Sequence, residues 1–420
     1  MFGEVVTLEK AVQKVSAAQW RILFLLIVSV WINYMDRANL SVAAPQLRSE
    51  LSLSPLQMGM LLSAFFWTYA ALQPVAGWLV DRFNVAWVFA IGYFLWSVAT
   101  GLTGLVNGLQ MLLVCRLILG LGESIAYPAY SNILVNHFPQ HRLALANALI
   151  DAGSKMGPAL GTFVGALLVG TVGWRIFFIV LGLVGGTWLI PWAFWSPRAA
   201  TRLTRVAVSA ESPSFAEILR VRAAWGTAIA LFCGNYFWYF LVTWLPSYLI
   251  DERKLSMQSM AILGSMPFVV IAISAVSAGW FSDRWIQRGG SVTQVRLLFT
   301  ASGLAGSMVI VLVPILKTAW TAMVVLHLAA FFYGLYSSNL WTVTQTLAGP
   351  TAAGRWSGFQ NCFGNMSGVV APWLTGFVVS RTGKYYLAFV ACCCVLAIGS
   401  CSYIFVVRKV ERIRWSTDRV

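Results

Sequence analysis

Six charged residues stand where a membrane-crossing helix tolerates them least: Asp36, Arg37, Arg116, Glu123, Asp151 and Lys155. Each lies inside a long apolar segment, and all six fall in the first half of the chain. An ionised side chain in hydrocarbon costs several kcal/mol unless it faces a partner or a wet cavity, so such residues mark ion or substrate pathways. Three acids and three bases cancel, and mutual pairing could satisfy every one. The chemistry they permit is an exchange of partners. A carboxylate held by an arginine stays ionised; an incoming anion that takes the arginine frees that carboxylate to bind a proton. Asp36 and Glu123 are therefore candidate proton carriers. Arg37 and Arg116 are candidate anion ligands, because a guanidinium offers a carboxylate a planar fork of donors. Arg116 and Glu123 are seven apart, two turns along one helix face. A static Arg116–Glu123 or Asp36–Arg116 pair is the plainer alternative. Asp151 and Lys155, four apart, either form an intrahelical pair or supply a third cation for a second acidic group on the ligand.

These residues need a polytopic membrane scaffold to hold them. The 420-residue chain is 59% hydrophobic and 10% charged, against about 25% charged in soluble domains. Hydropathy predicts twelve spans, at 19–44, 57–80, 86–105, 109–133, 142–169, 174–195, 224–250, 257–281, 296–315, 319–347, 353–380 and 385–408. The expected fold is all-α, with a six-helix bundle in 1–195, a polar linker in 196–223, a second bundle in 224–420 and a cavity between them. A net charge of +15 would suggest nucleic acid in a soluble chain; here basic loops set topology instead. With both termini inside, 19 Lys and Arg lie in inner segments and 7 in outer ones, which predicts cytoplasmic termini in an inner membrane.

The halves repeat. Gly77-Trp-Leu-Val-Asp81-Arg82 follows the second span and Gly279-Trp-Phe-Ser-Asp283-Arg284 the eighth, 202 positions later. Phe138-Pro139 with Arg142 is matched by Gly349-Pro350 with Arg355. Duplication of this kind points to a transporter with its site between the halves. The second half has no charge in its spans but many neutral polar groups, among them Asn235, Tyr236, Tyr239, Asn339, Thr342, Gln345, Gln360, Asn361 and Asn365. They could hold the hydroxyls of a polar tail while the arginines hold its carboxylate. No nucleophile–base set and no metal-ligand spacing appears, so neither an enzyme nor a metal or cofactor is expected. The seven cysteines sit in apolar runs.

The doubled G-x-x-x-D-R loop and the six-plus-six layout resemble the major facilitator superfamily. Three further stretches resemble its anion:cation symporter family, which includes bacterial hexuronate, galactonate and glucarate permeases. They are Asn33-Tyr-Met-Asp36-Arg37-Ala-Asn39-Leu-Ser41, Cys115-Arg116 with Glu123-Ser-Ile-Ala-Tyr127-Pro128, and Trp238-Tyr-Phe-Leu-Val-Thr-Trp244-Leu-Pro246. The resemblance implies proton-driven import of a small organic anion, most often a sugar acid, by a monomer. It implies proton carriage by Asp36 and Glu123, and substrate contacts from Arg37, Tyr69, Gln73, Arg116 and Asn361. Ser154, Lys155, Tyr236 and Thr342 complete the expected binding set. Asp81, Arg82, Arg142, Asp283, Arg284 and Arg355 would pair across the halves as a conformational gate. The fifth span departs from the family, which carries a glutamine near the position of Ser154; here Asp151 and Lys155 flank it. An exporter or uniporter of an aromatic acid or a dicarboxylate is the rival within transport, and an anion receptor the rival outside it.

Overall fold

The computed structural model describes residues 16–138, 140–196 and 213–415, and among these every regular element is helical. The first half comprises α1 (Ala17–Glu50), α2 (Pro55–Arg82), α3 (Val85–Thr103), α4 (Leu109–Ser124), α5 (Ala126–His137), α6 (Gln140–Gly186) and α7 (Leu189–Trp195). A short α8 (Phe215–Leu219) precedes α9 (Arg222–Ser247), α10 (Met257–Gln287), α11 (Val292–Ser307), α12 (Ala319–Asn365), α13 (Ser367–Thr382) and α14 (Tyr386–Cys401).

Twelve crossings result. Ten segments are long and apolar enough by length and composition alone. One of them, Leu149–Trp195, contains two crossings. The chain turns there at Gly173, whose φ of 78° suits only a residue without a β-carbon. The twelfth is α2, whose Gln57, Ser63, Thr68 and Gln73 dilute its apolar character. The fourth crossing is broken between α4 and α5 at Ile125, two residues after Glu123. Pro128 explains the break: it has no N–H to give the carbonyl of Ser124.

Without a hydrophobic effect between helices in lipid, close backbone approach has to supply the packing. On α6, Gly153, Gly157, Gly161 and Gly165 recur every fourth residue and face α1; a β-carbon on Gly161 would lie 3.0 Å from the Met35 Cα. Large aromatics fill the rest. Trp96, Trp174, Trp192, Trp244, Trp356 and Trp415 are fully buried. Most give their indole N–H to an acceptor, as Trp192 to the Ala86 carbonyl (3.0 Å) and Trp244 to that of Pro372 (3.0 Å). Others, such as Trp87 and Trp320, stand exposed on the perimeter, as lipid-facing aromatics do.

Between the halves, α1 packs on α9, α2 on α13 and α6 on α10. These contacts concentrate at the end of the bundle away from the chain termini. Ser41 donates to the Val242 carbonyl (2.6 Å), and Arg48 Nη1 meets Asp251 Oδ2 at 2.5 Å. The Tyr385 hydroxyl also donates to Asp251 (3.3 Å). A β-carbon on Gly59 of α2 would come within 2.7 Å of the Pro372 carbonyl on α13, so bare backbone closes this end. Nearby, Glu50 accepts from Trp174 Nε1 (2.6 Å) and Arg175 Nε (2.9 Å). The Trp174 hydrogen bond first, then Arg175, holds the Glu50 carboxyl below the usual range.

At the terminal end the acids keep to their own halves. Asp81 accepts from Asn132 Nδ2 (3.4 Å) and Asp283 pairs with Arg296 (2.7 Å). Arg355 donates to the Pro213 carbonyl (2.5 Å), and Arg82 and Arg284 are exposed. The side chain of Arg142 and most of the linker lie outside the described residues. Asp151, well inside α6, is near Tyr34 and Tyr127 yet has 63% of its side chain exposed. A carboxylate so placed is costly in hydrocarbon, so water has to reach it, a short way in from the terminal end.

Candidate functional site

The long α1 carries Asn33, Tyr34, Asp36, Arg37 and Asn39 into the centre of the first bundle, and α4 brings Arg116 and Glu123 to meet them. Asp36, Arg37, Arg116 and Glu123 are all buried. The structure joins Arg37 to Glu123, with Nε 3.0 Å from Oε2. The plainer alternative, a static Arg116–Glu123 or Asp36–Arg116 pair, is not among the ion pairs of the described residues. Arg116 interacts with Glu123 and Asp36 only at longer range and forms no hydrogen bond or ion pair among the described residues. The reason is geometric: Glu123 sits at the end of α4, where its side chain turns toward α1 instead of back along its own helix. Asp36 has only a long contact from Asn39 Nδ2 (3.5 Å).

The Arg37 guanidinium is also enclosed by aromatic rings. Its central carbon lies 4.6 Å from the Tyr34 centroid, 5.0 Å from Phe65 and 4.5 Å from Tyr69. Phe65 is shared, because the Arg116 guanidinium lies 5.4 Å from the same ring. Ring faces attract cations most strongly where water is excluded, so α2 fixes both arginines at once. Even so, the cluster leaves hydrogen-bonding capacity unused. Arg37 Nη2, Arg116 Nε, Glu123 Oε1 and Asn39 Oδ1 are buried without partners. The Asn33 amide sits beside Glu123 without ordinary hydrogen-bond geometry. Buried polar atoms of this kind cost about 1–3 kcal/mol each when nothing answers them.

Both guanidiniums border one pocket between the halves. The first half contributes Tyr34, Arg37, Phe65, Phe66, Arg116 and Pro158, with Leu62. The second half contributes Trp238, Tyr239, Val242 and Thr243 of α9. The bundles touch here through Phe66 and Tyr239, 4.5 Å between centroids.

Several expected contacts stand elsewhere. Tyr236 lies off the pocket-facing side of α9, its hydroxyl buried beside Thr375 in the second bundle without a formed hydrogen bond. Tyr239 takes the place expected of it. Trp238, Tyr239, Val242 and Thr243 share one helical face, and Tyr236 lies about a quarter turn from the centre of that face, two turns from Thr243 along its edge. Tyr69 backs Arg37 without lining the pocket. Gln73, Ser154, Lys155, Thr342 and Asn361 do not line it either. Ser154 donates to the Asp151 carbonyl (2.7 Å), and Lys155 pairs with Asp151 along α6. Thr342 accepts from Thr346 through its carbonyl, and Asn361 from Asn365. Phe65, Phe66 and Trp238 were missed as site residues, since the sequence holds 26 Phe and 20 Trp and nothing local separates these few. Among the described residues no group of three or more His, Cys, Asp or Glu could hold a metal ion.

The model of the Major Facilitator Superfamily matches residues 26–372. A probable sulfoacetate transporter of Cupriavidus necator is 32% identical, over 92% of this chain and 93% of its own length. The hexuronate transporter of Bacillus subtilis is 29% identical, over 93% and 94%. A probable galactarate/D-glucarate transporter of Escherichia coli is 29% identical, over 94% and 96%. Among solved structures, a bacterial homolog of the human lysosomal transporter Spinster, inward-facing and occupied, superposes with a TM-score of 0.81 at 17% identity. That likeness covers 94% of this chain and 98% of the other.

Proposed function

The chain belongs to the Major Facilitator Superfamily, and on that premise we propose that it is a proton-coupled symporter for a small organic anion. That it is a multi-pass transporter of organic anions, and no enzyme, follows from its relatives. Proton coupling, direction and orientation are our reading. The relatives' named substrates all carry a carboxylate, which is what two buried guanidiniums suit.

The observation that carries the proposal is the shared Arg37–Glu123 pair beside an unshared Arg116. An anion enters and meets Arg116, whose donors no protein carboxylate occupies. As it settles, it competes with Glu123 for Arg37. A carboxylate deprived of its counter-charge in a dry interior takes up a proton. Anion and proton then occupy the site together, which is symport. Asp36, within electrostatic reach of both Glu123 and Arg116, is the second proton carrier. With the termini cytoplasmic and the membrane the bacterial inner one, the closed end faces outward and the wet cleft faces the cytoplasm. Asp81 and Asp283, which take partners within their own halves here, would meet the gate arginines of the opposite half when the cleft closes. The two bundles, 1–195 and 224–420, rock about the site as a monomer, the linker 196–223 spanning them. No cofactor takes part, and the proton is the coupling ion.

The test is reconstitution into proteoliposomes with a trapped pH dye. Addition of sulfoacetate, glucuronate or galactonate should acidify the lumen as the anion enters, and a proton gradient should concentrate it. Saturable anion uptake that moves no protons would sink the coupling.

A further inference from the structure

We infer that the second bundle carries, at its terminal end, a docking site for the phosphate of an anionic membrane lipid, formed by Arg222 and Arg408. The site shares no residue with the central pocket.

The two arginines come from opposite ends of the second bundle's sequence. Arg222 is the first residue of α9, and Arg408 follows a π-helical turn, Ser402–Val407, that extends α14. The last carbonyls of such a turn have no further N–H along the helix. One of them, that of Phe405, accepts from both arginines: from Arg222 Nη2 at 2.5 Å and from Arg408 Nε at 2.8 Å. Those two nitrogens can be no farther apart than the sum of these distances, about 5.3 Å. Like charges so close repel, and one carbonyl dipole does not offset two full charges. Neither guanidinium is in an ion pair among the described residues, and neither has a hydrogen-bond acceptor there besides Phe405. Both side chains are exposed, so their remaining donors are open to a ligand. Packing holds the pair in place. The Ser402 hydroxyl donates to the Gly226 carbonyl (2.8 Å), and a β-carbon on Gly226 would meet Val407 at 2.8 Å. Arg408 itself turns the chain with a φ of 61°, a conformation that costs a residue with a β-carbon.

Depth decides the class of anion. Arg222 is the first residue of one apolar crossing, Arg222–Glu252, and Arg408 follows the last residue of another, Tyr386–Val407. Cations at the ends of crossings stand level with lipid headgroups, where basic clusters recognise anionic ones. Apolar surface continues from the arginines toward the bilayer: Phe405 is 58% exposed, and Ile404 and Trp225 are exposed as well. A soluble anion gains nothing from that surface, whereas a lipid lays its acyl chains along it. A phosphodiester has two free oxygens that can accept from two guanidinium forks. In phosphatidylcholine the headgroup's own cation competes for those oxygens; in phosphatidylglycerol none does. Basic residues scattered over loops fix topology by their number; two of them gathered on one oxygen form a site.

The experiment is arginine modification of the full chain by phenylglyoxal in lipid nanodiscs, read by peptide mass spectrometry. With phosphatidylglycerol in the disc, Arg222 and Arg408 are expected to react at least fivefold more slowly than in phosphatidylcholine alone, while the exposed Arg288 and Arg414 change less than twofold. Equal slowing of all four, or of none, overturns the site. Equal protection by inorganic phosphate in phosphatidylcholine discs makes the ligand a soluble anion and overturns the lipid assignment. Native mass spectrometry supplies the second reading. The parent should retain phosphatidylglycerol over phosphatidylcholine by about tenfold, the worth of a hydrogen bond between charged groups. Arg222→Gln with Arg408→Gln should reduce that preference below twofold, and Arg288→Gln with Arg414→Gln, which removes the same charge, should leave it intact. Equal losses in the two double variants overturn the assignment. The labelling of the unaltered chain is decisive even if a variant does not fold.

Discussion

Arg37 Nε lies 3.0 Å from Glu123 Oε2, with both side chains buried, while Arg116 on the same helix as Glu123 has no carboxylate partner. One arginine is thus committed to the protein and the other is held in reserve. That asymmetry divides the consequences of substitution.

Glu123→Gln keeps an amide oxygen for Arg37 but cannot carry a proton. Counterflow exchange of the anion should survive at near the parental rate, while accumulation driven by a pH gradient is lost. Persistence of gradient-driven accumulation would exclude Glu123 as a proton carrier. Glu123→Ala leaves a buried guanidinium unpaired and should lower stability by about 3–5 kcal/mol, read as a large fall in melting temperature.

Arg116→Ala removes a cation to which no protein carboxylate is hydrogen-bonded. Its loss should weaken anion binding by about 1.5–3 kcal/mol, the worth of hydrogen bonds to a charged group, with a small change in melting temperature. Arg37→Ala should cost both binding and stability, because Glu123 is then left alone. Equal thermal effects of the two variants would contradict this division.

Arg48 and Asp251 hold the closed end as a part-exposed ion pair between halves. Such pairs contribute about 0.2–1 kcal/mol. Asp251→Asn should therefore shift the population toward the state open at that end by about 1.4–5-fold, measured as faster labelling of cysteines placed beside Ser41. High salt should produce a similar shift in the parent by screening.

Gly59→Val tests the same end without touching charge. A β-carbon there meets the Pro372 carbonyl at 2.7 Å and the Gly376 Cα at 3.1 Å, both backbone atoms that cannot swing aside. Closure of α2 on α13 should be blocked, and transport should fall at least tenfold while the variant still binds anion.

Lys155→Met removes an intrahelical partner of Asp151 and no pocket wall. Pairs of this kind stabilise a helix by about 0.2–0.5 kcal/mol, so half-saturation for anions should change less than twofold. A tenfold change would place Lys155 in the binding path after all.

Much of the architecture was legible without coordinates. Twelve crossings, the duplicated loop and the embedded charges follow from properties counted along the chain: apolar run length, repeat spacing and residue type. The bilayer makes them so, since each crossing must satisfy its own backbone and an ionisable residue within it must find an answer nearby. The candidates Asp36, Arg37, Arg116 and Glu123 emerged in this way, and they do converge on one cluster.

The sequence did not determine which of them are partners. Glu123 reaches Arg37 across 86 positions and passes over Arg116 seven residues away, because the helix breaks after Ser124 and the two helices cross where they do. Nor could it tell Tyr239 from Tyr236, or single out Phe65 among 26 phenylalanines. Those choices depend on the rotation of each helix about its axis and on which backbones come close enough to touch. Rotation and approach are set by packing among segments far apart in the chain, so only the assembled bundle decides them.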